Sequence, residues 1–177
     1  SFESTGLEVA VGDVTSYESL VSAFQGVHSV FHLAGHVGYS KADRALMEQV
    51  NVKGTENVLQ ACKTAKVKRL VHMSSVVAVG ASFTGKEPLD ENSEFNLHHL
   101  DLGYFETKFK AEKQVMKFAK NGDVDAVMVN PSTIYGAGDA KKGSRKTQLK
   151  VAQGRFPFYT SGGVSIVGVE DVVQATL

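Results

Sequence analysis

A single cysteine, Cys62, occurs in the 177 residues, and Lys plus Arg balance Asp plus Glu at 19 each. One thiol excludes an internal disulfide framework and fits a reducing, cytoplasmic setting. With a formal net charge of zero, nothing points to a nucleic-acid or anionic-membrane partner. The one basic cluster, residues 141–146, reads as a solvated loop or a phosphate neighbour. No apolar run approaches the roughly 18 residues a membrane span needs. His32, His36, His72, His98 and His99 lack acidic or cysteine partners at metal-ligand spacing, so they read as structural and no metal is expected. No internal repeat, low-complexity tract or linker stands out. The chain opens on Ser1 rather than Met, so the lack of a targeting segment carries no weight.

What is present is enough apolar sequence, 42%, for one globular domain with a core. Residues 7–11 predict a short strand ended by Gly12-Asp13, and Thr15 or Ser16 caps a helix over 17–24. Residues 27–33 predict a second strand, almost continuously apolar as for a strand covered on both faces, and Ala34-Gly35 breaks it. A long helix follows, with Met47, Val50, Gly54, Val58 and Ala61 at spacings of three and four. The third strand, 67–73, closes on Ser74-Ser75. Residues 76–103 then read as a long loop, and loops of that length in a compact domain are usually functional. After the helix that begins near Tyr104 come a fourth strand at 124–129 and a turn-rich stretch at 130–138. A weaker helix at about 148–153, a last strand at 164–169 and a helix from Asp171 complete the chain. Strands separated by helices predict right-handed crossovers: an α/β fold with a doubly wound parallel sheet and helices on both sides. Ligands of such sheets sit beyond the carboxyl ends of the strands, and Asp13, Ala34-Gly35, Ser75 and Pro131 all follow strands.

The chemistry centres on Tyr104 and Lys108, four residues apart and therefore one turn apart on a helix face. A phenol with its ordinary pKa of about 10 is a poor acid or base at neutral pH. A nearby cation in a partly dry cleft can lower it by roughly 2 to 3 units. Spacing alone equally describes two long side chains snorkelling on a surface. The same face continues through Ala111, Val115 and Phe118, however, and so points inward.

Taken in order, the motifs resemble the extended short-chain dehydrogenase/reductase family. They are Gly12-Asp13-Val14, Phe31-His32-Leu33-Ala34-Gly35, Asn51-Val52-Lys53-Gly54-Thr55, Ser74-Ser75, Tyr104 with Lys108 and Ala111-Glu112, Asn130-Pro131 with Tyr135-Gly136, and Val169-Glu170-Asp171-Val172. Within it the chain is most similar to the branch of dihydroflavonol reductases and 3β-hydroxysteroid dehydrogenases. The resemblance implies an NAD- or NADP-dependent oxidoreductase, with the choice of cofactor not readable. Tyr104 would be the general acid or base, Lys108 would lower its pKa and hold the nicotinamide ribose, and Ser75 would position the substrate oxygen. Ser74 rivals Ser75 for that role, and strand-end capping is the bland reading of both serines. Asp13 with Val14 would meet the adenine, although an Asp there is also an ordinary helix-start residue. Leu33, Ala34 and Gly35 would lie along the cofactor, and Pro131 and Ile134 would flank the nicotinamide. Asn51 would orient backbone near the site or merely bridge neighbours. Homodimerisation through the Asn51 and Tyr104 helices is implied by resemblance alone.

The departures are informative. No glycine-rich pyrophosphate turn occurs, nor a strand ending in a residue that selects between NAD and NADP. The chain is therefore expected to be a partial dinucleotide-binding domain over 1–177. It would lack the first βαβ unit and most of the substrate lobe, and would leave an orphan strand edge and bind dinucleotide weakly. Dehydratases of the family carry Asp-Glu after the active serine or threonine, whereas Val76-Val77 stands here. Val79 replaces the tyrosine common in nucleotide-sugar epimerases, and Gly168 stands where many relatives have a polar residue. These differences favour a reductase or dehydrogenase acting on a small, less polar molecule. An epimerase and a non-catalytic dinucleotide sensor are the alternatives.

Overall fold

The computed structural model describes residues 6–85, 87–137, 143–158 and 161–177, with backbone only for 143–147. The chain divides into two compact units, Ser1–Asn130 and Pro131–Leu177. In the first, the order is α1 (Tyr17–Ala23), β1 (Ser29–His32), α2 (Arg44–Met47), a π-helical stretch (Glu48–Lys53), α3 (Gly54–Thr64), β2 (Arg69–Met73), α4 (Gly103–Lys120) and β3 (Asp125–Val129). The three strands are parallel in the order β1-β2-β3, with Val30 opposite Leu70 and Leu70 opposite Ala126. A parallel sheet crossed by helices is the predicted class, but the helices expected on both sides lie, among the described residues of this unit, on one face only.

Local chemistry explains the elements. Ser16 caps α1 by accepting from the Ser19 amide at 3.4 Å, satisfying one of the orphan donors of a helix start. Leu20 of α1, Val58 and Leu59 of α3 and Val115 of α4 join Val30 and Leu70 in one buried cluster. Val30 and Leu70 share a sheet face by register, so α1, α3 and α4 pack on that face. Phe31 and Val127, on the opposite face, are exposed. Gly54 lets α3 approach the Val14 segment, because a Cβ there would lie 3.0 Å from Val14 Cγ2.

Two expectations in this unit need correction. Residues 7–11 form no strand: Leu7, Val9 and Val11 are 60, 73 and 95% exposed, and β1 ends the sheet. A strand exists only through its ladder, and among the described residues no backbone pairs with this segment. The expected single α-helix over 47–61 contains the π-helical stretch Glu48–Lys53. The inserted residue turns Asn51 and Val52 inward, at 3 and 6% exposure, and leaves Val50 only partly buried.

The long 76–103 loop is structured around Asn96, which accepts from the Ala81 amide at 3.0 Å and donates to its carbonyl at 2.8 Å. Gly80 beside it has φ +131°, and a Cβ there would stand 2.8 Å from Asn96 Oδ1, so the turn takes glycine.

The second unit pairs β4 (Thr133–Tyr135) with β5 (Ile166–Gly168) in parallel and carries α5 (Gly143–Ala152) and α6 (Val169–Thr176). Here β4 lies inside the stretch read as turns, α5 starts five residues earlier than expected, and Val169 opens α6 rather than closing a strand. The basic run of 141–146 lies outside the residues whose side chains are described. No helix among the described residues is long and apolar enough to cross a membrane.

Candidate active site

The carboxyl end of β2 and the first turns of α4 bring three expected residues together. Ser75 lies two residues past β2, and its side chain is close enough to the Tyr104 phenol to act on its pKa. Its oxygen also accepts from the Val77 amide at 3.4 Å, capping a short 3-10 turn. Tyr104 is partly buried, whereas Lys108 is 7% exposed. The Lys108 ammonium donates to the Met73 carbonyl at 2.9 Å, a bond from helix to strand end that removes the surface-pair reading.

The electrostatics differ from the expectation in one respect. Burial raises the Tyr104 phenol above its usual value, opposed by the nearby Ser75 side chain and reinforced by Tyr39; Lys108 is not among the causes. Burial lowers the Lys108 ammonium, and the Glu112 carboxylate pulls it back up. The protein alone thus holds a neutral phenol and, one turn along α4, a lysine whose charge burial disfavours.

Asn51 is the bridge between the β1 exit and α4. Its side chain accepts from the His36 amide at 2.7 Å and donates to the His36 carbonyl at 2.9 Å and to Thr107 Oγ1 at 3.1 Å. Thr107 Oγ1 donates in turn to the Tyr104 carbonyl at 3.0 Å. Sequence reasoning left Asn51 undecided and missed Thr107. The π insertion that turns Asn51 inward has no signature in hydrophobic spacing.

Leu33, Ala34 and Gly35 are exposed just beyond β1. A Cβ on Gly35 would lie 3.5 Å from Lys108 Nζ and 3.6 Å from Asn51 Oδ1. This bare backbone beside a cation suits a flat, polar cofactor. Asp13 is exposed, and hydrogen bonds from the Thr15 amide and hydroxyl to its Oδ1, both 2.8 Å, hold its carboxyl below the usual range. Val14 packs against the core, and its carbonyl accepts from Asn57 at 2.8 Å. Pro131 and Ile134 belong to the second unit, where Ile134 lies on β4 opposite Val167. A shallow cleft beside Tyr104 is walled by Tyr39, Arg44, Met47, Leu102 and Phe105.

A parallel sheet with Ser, Tyr and Lys gathered at its carboxyl ends defines a Rossmann-type protein of the extended short-chain dehydrogenase/reductase class. Residues 1–176 match the 3-beta hydroxysteroid dehydrogenase/isomerase family, and the chain belongs to it. It is 32% identical to sterol demethylase protein B of Methylococcus capsulatus, over 100% of this chain and 53% of that protein. The crystal structure of gox2253 superposes with a TM-score of 0.88 at 32% identity, covering 99% of this chain and 53% of that one. MoeE5, solved in complex with UDP-glucose and NAD, gives 0.74 at 26% identity over 93% of this chain and 56% of its own. The chain therefore spans about half the length of the relatives it matches.

Proposed function

We propose that the polypeptide is an NAD(P)-dependent oxidoreductase that interconverts a ketone and a secondary alcohol on a small ring-containing substrate. The observation that carries this is the buried Lys108 ammonium held on the Met73 carbonyl at the β2 exit, with Ser75 close enough to Tyr104 to act on its phenol. Bound nicotinamide supplies or takes up the hydride. Ser75 donates to the substrate oxygen and orients it. Tyr104 gives its phenolic proton to that oxygen in reduction and takes it back in oxidation. Lys108, positioned next to Gly35, meets the cofactor ribose and stabilises the phenolate that the transfer leaves. In the protein alone burial raises the phenol, so Tyr104 rests protonated. Leu33, Ala34 and Gly35 lie along the cofactor, and Asp13 and Val14 meet its adenine. Met47, Leu102 and Phe105 form part of the wall of the neighbouring cleft, beside the Arg44–Asp101 ion pair.

The test uses the full-length polypeptide with NADPH and NADH against a panel of flavanonols and 3-ketosteroids, with Tyr104→Phe alongside. Turnover by the parent and a loss of about 10²–10⁴-fold in the variant are expected. Undiminished turnover in the variant would remove Tyr104 from the chemistry. The likeness to MoeE5 in complex with UDP-glucose favours a second reading, a nucleotide-sugar epimerase. Tight cofactor binding without net consumption, followed by conversion of nucleotide sugars, is the result that would select it.

A further inference from the structure

Glu112 stands on α4 one turn beyond Lys108, and its side chain reaches the sheet. Its Oε2 accepts from the Ser74 hydroxyl at 2.5 Å and from the Asn130 side-chain amide at 2.7 Å. The same Asn130 amide donates to the Ser75 carbonyl at 3.2 Å, and the Ser74 amide donates to the Val129 carbonyl at 2.8 Å. These bonds form a closed ring around the Ser74-Ser75 peptide, joining α4 to the exits of β2 and β3. Ser74 is 3% exposed, so the carboxylate binds it away from bulk water, where a charged acceptor makes its strongest hydrogen bonds. Nothing else in the ring bears a charge. The Ser75 hydroxyl, which lies near Tyr104 and lowers its pKa, hangs from the peptide that this ring holds.

We propose that Glu112 is a positioning residue: by accepting from Ser74 and Asn130 it locks the Ser74-Ser75 peptide in the orientation that directs the Ser75 hydroxyl at Tyr104 and at the substrate oxygen. This rests on the catalytic reading of Ser75 given above. It also divides the two serines between them. Ser75 faces the chemistry, and Ser74 is consumed in holding it there. The ring accounts for both residues without a second catalytic hydroxyl.

A double-mutant cycle on the full-length polypeptide tests the coupling. Ser75→Ala is expected to lower kcat roughly 100-fold. Glu112→Ala is expected to lower kcat at least about tenfold with KM changed less than about threefold, because a misdirected hydroxyl weakens the transition state rather than binding. The Glu112→Ala/Ser75→Ala protein is expected to match Ser75→Ala within about twofold, since a residue acting through Ser75 has nothing left to act on. Glu112→Gln, whose Oε1 can accept from both donors, is expected to recover most of the parent kcat. If Glu112→Ala shows no cooperative melting transition, Ser74→Ala takes its place in the same cycle. Losses that multiply in the double variant, or a Glu112→Gln protein as slow as Glu112→Ala, would overturn the proposal and leave Ser75 catalytic. Full turnover by Ser75→Ala would instead sink the role of Ser75, and the proposal with it.

Discussion

His72 lies in the middle of β2 at 1% exposure, and among the described residues neither ring nitrogen has a hydrogen-bond partner. Burial pushes its pKa down to about 2, helped by His32 and Lys108. His32, whose Nε2 shares a hydrogen bond with Thr55 Oγ1 at 3.0 Å, is driven down to about 4 by burial and then by Lys108. Both are neutral in the folded protein at pH 7. Unfolded histidines titrate near 6.5, so below that the unfolded chain binds more protons and stability falls as pH drops from about 6.5 toward 4. His72→Met, which removes an unpaired buried polar ring, should stabilise the protein by about 1 kcal/mol at neutral pH. It should also flatten the acid limb of a melting-temperature profile. A lower melting temperature at pH 7 with an unchanged acid limb would show that the ring is satisfied in some other way. The sequence revealed that these histidines have no metal-ligand spacing; their depth in the sheet followed only from packing.

At the scale of elements, the junction of α2, the π-helical stretch and α3 illustrates the division best. Spacings of three and four placed Met47, Gly54, Val58 and Ala61 inward, and all four are buried. Val50 belongs to the same pattern, but the π turn rotates it aside in favour of Asn51 and Val52. Asn51 then fastens the loop after β1 to α4 through His36 and Thr107. Asn51→Ala should cost about 1–2 kcal/mol by leaving partly buried backbone groups of His36 without partners. Urea unfolding would measure it, and an unchanged midpoint would mean that the loop re-pairs elsewhere. The α4 face from Tyr104 to Phe118 was legible because i, i+4 spacing and burial agree on it. The Glu112 ring was not, because its acceptor and donors come from three separate elements.

For the molecule as a whole, the parallel sheet and the place of Ser75 beyond a strand end followed from the alternation of apolar runs and helical patterns, whereas the order β1-β2-β3 came from the structure. Residues 7–11 carry the same apolar signal and yet remain exposed coil. Hydrogen exchange on this 177-residue chain should find the amides of residues 7–11 near the unprotected rate, with Leu70, Val71 and His72 among the slowest. Strong protection of 7–11 in a monomer would contradict the open edge beside β1.

Sequence by itself determined the features whose physics is local. Helix faces follow from side-chain periodicity, the approach of Tyr104 to Lys108 follows from a one-turn spacing, and the cap at Ser16 follows from one polar side chain at a helix start. Only the tertiary structure decided what depends on distant partners. The bond from Lys108 to the Met73 carbonyl spans 35 residues, and that from Ser74 to Glu112 spans 38. Whether an apolar run becomes a strand is set by the backbone beside it, because the ladder that defines a strand lies between segments and not within one.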